Sequence, residues 1–391
     1  MMRWLLLAVL AALGCGGCDR VPEDGSAVVA PQAGDPVETL EDELNILASP
    51  GAVERGSTDP AADWVTPFEQ GTGCSVNVAT AQSPVEMLTL VDRGDFDLVI
   101  APSDVATTLI ANGSVQPIDL AQLPSYANVD PRLQSAPWQV VAERHYGTPY
   151  QWGRYLLIYD REAFDRPPAS WSVLFEEKRL PVVGQGRGRV DLPEDPAFIA
   201  DAALYLMKTR PGLEIRDPYE LTEVQYAAVL ELLQQRRALV HRHVSRASEM
   251  LEDFQHNSVV VAVARPQVAK ELTRNGAAVA TAVPTEGASG WADTTMLTAG
   301  AKHPKCAYRW MEWSLNATVQ GDVAAWLGSV PAVPAACEVN PKLGPERCAS
   351  HGLAAFEELW FRRTPVPDCA AGPCVGAERW TADYATLLRS D

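Results

Sequence analysis

Basic residues are scarce in this chain. Its 391 residues carry 32 lysines and arginines against 50 aspartates and glutamates, a formal net charge of −18. A surface of that sign lacks the positive footprint that phosphate backbones require, which excludes nucleic acid as a partner. It favours cationic ligands without naming one. Apolar runs are short: residues 4–13 are unbroken and no second hydrophobic span follows, whereas a helix crossing a bilayer needs about 20 such residues. After Cys18 there is no Cys-x-x-Cys pair, and His241 and His243 have no third ligand near them, so no metal site is expected. A G-x-S-x-G elbow and its cysteine counterpart are both missing, which removes the usual sequence support for acyl transfer. The glycine-rich stretch at residues 184–190 lacks the GK[ST] ending of a phosphate loop and reads as a surface turn. Nothing implies a cofactor.

What is present starts at the amino terminus. Met1, Met2 and Arg3 precede the apolar run, and Gly14 closes it. That is the pattern of a secretory signal, here residues 1–14. Cys15 follows directly, which resembles a bacterial lipobox with an acylated thiol; Ala12 stands where leucine is usual, and Cys18 is the alternative site. Residues 15–42 then form the anchor cysteine and a linker of proline, glycine, alanine and acids. The folded part is therefore expected outside the cytoplasm, in the periplasm or cell envelope, lipid-anchored to a membrane. In that oxidising setting the six remaining cysteines are expected to pair. Cys337–Cys348 and Cys369–Cys374 would close local loops, and Cys74–Cys306 a long one.

Order begins with the strand Leu44-Asn45-Ile46-Leu47. A helix is expected over residues 63–70, a strand from Cys74, a helix through Met87 and Val91, and a buried strand at residues 96–100. Such a β-α-β rhythm implies an α/β fold with a mostly parallel sheet. Thr222 with Gln225 has the form of a capping box, and Tyr226, Val229, Leu230 and Leu233 line one face of the helix that follows. The length favours two lobes. Their expected parts are residues 43–148 for the first, 149–287 for the second, and 288–391 for a return to the first.

Several segments carry a family resemblance: "ERGSTDPAADWVTPFEQGTGCSVNV", "YGTPYQWG", "IADAALYL", "DPYELTEVQY", "GWADTTML", "AKHPKCAYRWMEWSL" and "VQGDVAAWLGSVPAVPAAC". Together they resemble the spermidine/putrescine-binding branch of the periplasmic solute-binding proteins of ABC importers, over about residues 44–390. The resemblance implies a type II clamshell with a mixed sheet in each lobe and two crossovers. It also implies an interlobe ligand cleft, a membrane permease as partner, and no catalysis. A monomer is expected. Some close relatives carry a polyhydroxybutyrate-synthase annotation; cysteines committed to disulfides argue against that chemistry here.

A polyamine needs carboxylates for its ammonium ends and aromatic walls for its methylenes. Trp291 and Asp293 match the family's aromatic and acid, and their spacing puts both on one face of a strand. Asp104 lies past the carboxyl end of a parallel strand, where open α/β sheets bind ligands, although it also suits a helix start. Glu194 and Asp195 fall where the family has a second-lobe carboxylate. Other positions depart from the family. Ser49-Pro50-Gly51-Ala52 stands in place of Trp-Pro-Gly-Tyr, Pro193 in place of a tyrosine, and Arg265 in place of a tryptophan; Arg154 replaces a neutral residue. Two guanidinium groups at a cleft repel a polycation and suit an acid. The ligand is thus expected to be a polyamine-type amine or, by drift, a zwitterionic or anionic solute held by Asp293 together with Arg154 or Arg265.

Overall fold

The computed structural model describes residues 40–183, 186–369 and 372–389. The signal segment, Cys15, Cys18, the linker up to residue 39 and part of the glycine-rich stretch lie outside the described residues.

Among the described residues, twelve strands build the two large sheets, beside three two-stranded ribbons. In chain order they are β1 (Glu43–Ala48), β2 (Ser75–Thr80), β3 (Leu98–Pro102), β4 (Gly147–Arg154), β5 (Leu156–Asp160), β6 (Val190–Pro193), β7 (Val240–Val244), β8 (Val261–Ala264), β9 (Val279–Ala282), β10 (Ala288–Leu297), β11 (Val330–Pro331) and β12 (Leu359–Phe361). The first sheet runs β11-β4-β10-β3-β1-β2, with β12 laid parallel against the start of β10. β1, β2 and β3 are mutually parallel, whereas β10 runs antiparallel to β3 and β4. The second sheet runs β7-β6-β8-β5-β9; β6 is parallel to β7 and β8, and β5 is antiparallel to both its neighbours. Both sheets are therefore mixed, as the resemblance implies.

The chain crosses between sheets at Tyr155, the single residue separating β4 from β5, and again at residues 283–287 between β9 and β10. All ten residues of β10 are buried, as expected of a central strand covered on both faces. Each sheet has an apolar cluster on either face, for example Phe68, Trp310 and Met311 on one side of the first sheet and Met87, Leu109 and Met296 on the other.

Side-chain caps open two of the helices. Ser83 Oγ accepts the Glu86 N–H at 3.2 Å and opens Pro84–Arg93. The Thr222–Gln225 capping box opens Glu223–Gln235, whose buried face is Tyr226, Val229, Leu232 and Leu233; Leu230 is only partly buried. Caps of this kind contribute about 1 kcal/mol each. Among the described residues three disulfides are formed, Cys74–Cys306, Cys337–Cys348 and Cys369–Cys374.

One boundary differs from expectation. The end of the segment assigned to the first lobe (288–391) returns to the second. Helix Ala377–Arg389 buries Trp380 and Tyr384 in the second-lobe cluster, where Trp380 packs on Tyr219 and Tyr226. Tyr384 Oη donates to the Pro193 carbonyl at 2.6 Å. The i,i+4 spacing of these aromatics announces a packed helix face but not the lobe that receives it.

Candidate functional site

A cleft of about 700 Å³ opens between the two sheets. Its first-lobe wall is the loop after β1 with Ser49, Gly51 and Glu54, the helix start at Ser83, and Trp326. Its second-lobe wall is the end of β6 with Glu194 and Asp195, the start of helix Ala247–Gln255, and Arg265 with helix Pro266–Arg274. Tyr155, at the crossing, and Arg362 line it as well. Gly51 allows the rim to turn: its φ is +78°, and a Cβ there would sit 3.3 Å from Trp326 Nε1.

The deepest contact joins the lobes. Arg265 follows β8 in the second sheet, and its Nη1 donates to both oxygens of Asp293 on β10 in the first, at 3.1 and 3.2 Å. The same guanidinium lies over the Trp291 ring at 4.3 Å. Trp291 is fully buried and Asp293 is 5% exposed. Burial pushes the Asp293 pKa up, against the opposing pull of Arg265; burial also weighs against the Arg265 charge, but Asp293 and Tyr155 more than offset it. Gly153 explains how the indole fits. It faces Trp291 across the β4–β10 ladder, and a Cβ there would sit 2.9 Å from Trp291 Cζ2.

A second arginine does the same at the crossing. Arg362, just past β12 and nearly fully buried, lies 3.7 Å over the Tyr155 ring. It pairs with Asp195, and with Asp201 at 3.4 Å. Burial raises the Asp201 pKa to about 6, although Arg362 and the Ser289 hydroxyl favour its charged form; that hydroxyl donates to it at 2.5 Å. Farther out, Arg274 lies 4.4 Å over Trp326, and Lys270 Nζ donates to the Ala325 carbonyl at 2.6 Å.

The residues singled out from sequence separate into groups. Glu194, Asp195 and Arg265 line the cleft. Trp291 and Asp293 lie behind Arg265. Asp104 sits at the start of helix Ser103–Ala111, where its Oδ1 accepts the Val105 N–H at 3.0 Å. Burial and then the nearby Asp195 raise its pKa. Arg154 does not join Asp293. It is paired in register with Gly290, so it points to the opposite face of the sheet from Trp291 and Asp293, and it donates to the Ser350 carbonyl at 3.2 Å.

Sequence reading missed Glu54, Glu271, Tyr155, Trp326 and Arg362 in the cleft wall. Glu54 and Trp326 lie within the quoted family-like segments, but nothing in their periodicity marks them. Among the described residues, the side-chain carboxylates of Glu54, Glu194 and Glu271 make no hydrogen bond. Burial raises the Glu54 pKa, with Arg274 pulling the other way.

A model of the bacterial extracellular solute-binding protein family matches residues 63–343. This chain belongs to that family. It is 25% identical over 313 residues to the putrescine/agmatine-binding protein of Pseudomonas aeruginosa, covering 73% of this chain and 82% of the relative. It is also 25% identical over 310 residues to the putrescine-binding periplasmic protein PotF of Escherichia coli, covering 73% and 80%. Among solved structures, the spermidine/putrescine substrate-binding protein PotD of Streptococcus pneumoniae matches with a TM-score of 0.69 at 17% identity, covering 90% of this chain and 98% of that one. The fold is the two-lobed α/β architecture of type II periplasmic binding proteins. The family comprises solute-binding components of transporters and is not an enzyme family. No helix among the described residues is long and apolar enough to cross a membrane.

Proposed function

We propose that this protein is the exported, substrate-capturing component of an ABC importer, and that it takes a small amine-bearing solute of the putrescine and spermidine class into the interlobe cleft. The observation that carries this reading is the set of cleft carboxylates Glu54, Glu194 and Glu271, which make no side-chain hydrogen bond among the described residues and line the same cleft as the aromatic residues Tyr155 and Trp326. An ammonium group gains charge-assisted hydrogen bonds from such carboxylates and roughly 0.5–2 kcal/mol from an aromatic face. The polyamine-binding relatives support the same class of solute. Hinged closure of two lobes over a solute is the motion this architecture permits. In this reading the protein is a monomer anchored through Cys15, and its closed form docks on a membrane permease.

The test is a thermal-shift and calorimetric titration with putrescine, spermidine and amino acids that carry a terminal amine. A cognate solute at 100 times its Kd adds about 2.7 kcal/mol of stability. No shift with any amine at millimolar concentration contradicts the reading. Loss of membrane association in Cys15→Ala tests the anchor separately.

A further inference from the structure

We propose that Arg265 is a specificity-determining residue: its guanidinium takes the place of an ammonium between Trp291 and Asp293, so the solute meets this end of the cleft with a carboxylate. This deepens the amine-binding reading and rests on it, because the other end of the solute still carries the amine.

Three observations carry the assignment. Trp291 and Asp293 form a cation subsite, an aromatic face beside a carboxylate. That subsite is already occupied, with the guanidinium 4.3 Å from the ring centroid and 3.1 Å from the acid. The occupant reaches across from the other lobe, so closing the cleft and filling the subsite are one event. A second ammonium entering here would have to displace a buried charge from its partner. The geometry of the pair also leaves a place for an anion. One nitrogen, Nη1, serves both oxygens of Asp293, and no second carboxylate pairs with Arg265 among the described residues. Arg265 itself lines the cleft. Tyr155 also engages this guanidinium, but Asp293 occupies only one of its nitrogens, and the remaining N–H donors are spaced to match a carboxylate. At the opposite, first-lobe wall Glu54 is available for the amine. A short zwitterion with separated charges, an ω-amino acid, satisfies both ends.

A matched four-carbon series tests this in the purified mature protein: putrescine, 4-aminobutyrate and succinate, titrated by calorimetry. The expected result is that 4-aminobutyrate binds at least about 10-fold more tightly than putrescine. Arg265→Gln should shift that ratio at least about 10-fold toward putrescine, because the subsite is vacated and its anion partner removed. Circular dichroism reports whether the variant folds. Asp293→Asn provides an independent arm: it frees the guanidinium and should shift the ratio toward 4-aminobutyrate and succinate. Putrescine binding as well as or better than 4-aminobutyrate, with a ratio unmoved by either variant, overturns the role of Arg265 and leaves the amine reading intact. Succinate binding alone supports the acid end and contradicts the amine reading. No binding of any of the three to folded protein overturns both.

Discussion

Two kinds of carboxylate meet at this cleft, and they have different tasks. Asp293 and Asp195 are each held by an arginine that comes from another part of the chain and stacks on an aromatic ring. The side-chain carboxylates of Glu54, Glu194 and Glu271 have no hydrogen-bond partner among the described residues. The first kind ties one lobe to the other: its charge is spent within the protein. The second kind faces the cleft with its charge available. A buried carboxylate without a partner is costly, so the unpartnered ones sit at the cleft wall where water or a solute reaches them. The deepest acid is therefore not the best anchor for a ligand.

Removing an arginine of the first kind should have the largest effect. Arg362→Met leaves Asp195 and Asp201 without their cation, and breaking a buried pair from one side costs about 3–5 kcal/mol. Urea unfolding at pH 8 measures this. The cost should shrink at lower pH as Asp201, whose folded pKa is about 6, takes up a proton. A loss below about 1 kcal/mol would show that the pair does not hold the lobes.

A third arrangement sharpens the contrast. Asp191 is fully buried and faces Asp253, whose Oδ1 is engaged by Arg242 at 2.7 Å and His241 at 3.2 Å. Burial, and then the neighbouring Asp253, raise the Asp191 pKa to about 8. Its folded pKa lies above its unfolded value, so the folded state binds the extra proton and stability falls as pH rises from about 4 to about 8. The slope approaches about 1.4 kcal/mol per pH unit for one proton. Asp191→Asn, which keeps a donor toward Asp253, should flatten that slope in a series of melting curves. An unchanged slope would contradict the assignment. The smallest effect belongs to the second kind of carboxylate: Glu271→Gln should alter folding stability by less than about 0.5 kcal/mol, which chemical denaturation can check. A larger loss would mean that Glu271 has a structural partner after all.

Much of the architecture was legible in the sequence because it is local. Period-two and period-3.6 patterns, the Thr222 cap, and the cysteine placement mark strands, helices and disulfide loops. The shared face of Trp291 and Asp293 follows from strand periodicity alone. What was not legible depends on which distant segments meet. Arg154 and Arg265 look alike in sequence; only the β4–β10 register turns Arg154 to the far face. Arg362 lies in a stretch without periodicity, 167 residues from Asp195. Helix Ala377–Arg389 shows an apolar face without showing which lobe it packs against. Glu54 and Glu194 matter because they lack partners, and that property exists only in three dimensions.

The account rests on the unpartnered carboxylates gripping the amine of a solute between the lobes. Calorimetric titration of 4-aminobutyrate and putrescine into wild type and into the Glu54→Gln/Glu194→Gln double variant tests this most directly, with melting temperature as the folding control. The account predicts measurable capture of at least one of these amines by wild type and at least about 100-fold weaker capture by the variant, a loss of about 2.7 kcal/mol, with its melting temperature unchanged. Equal affinity in both proteins, or no capture of either amine by wild type, would contradict it.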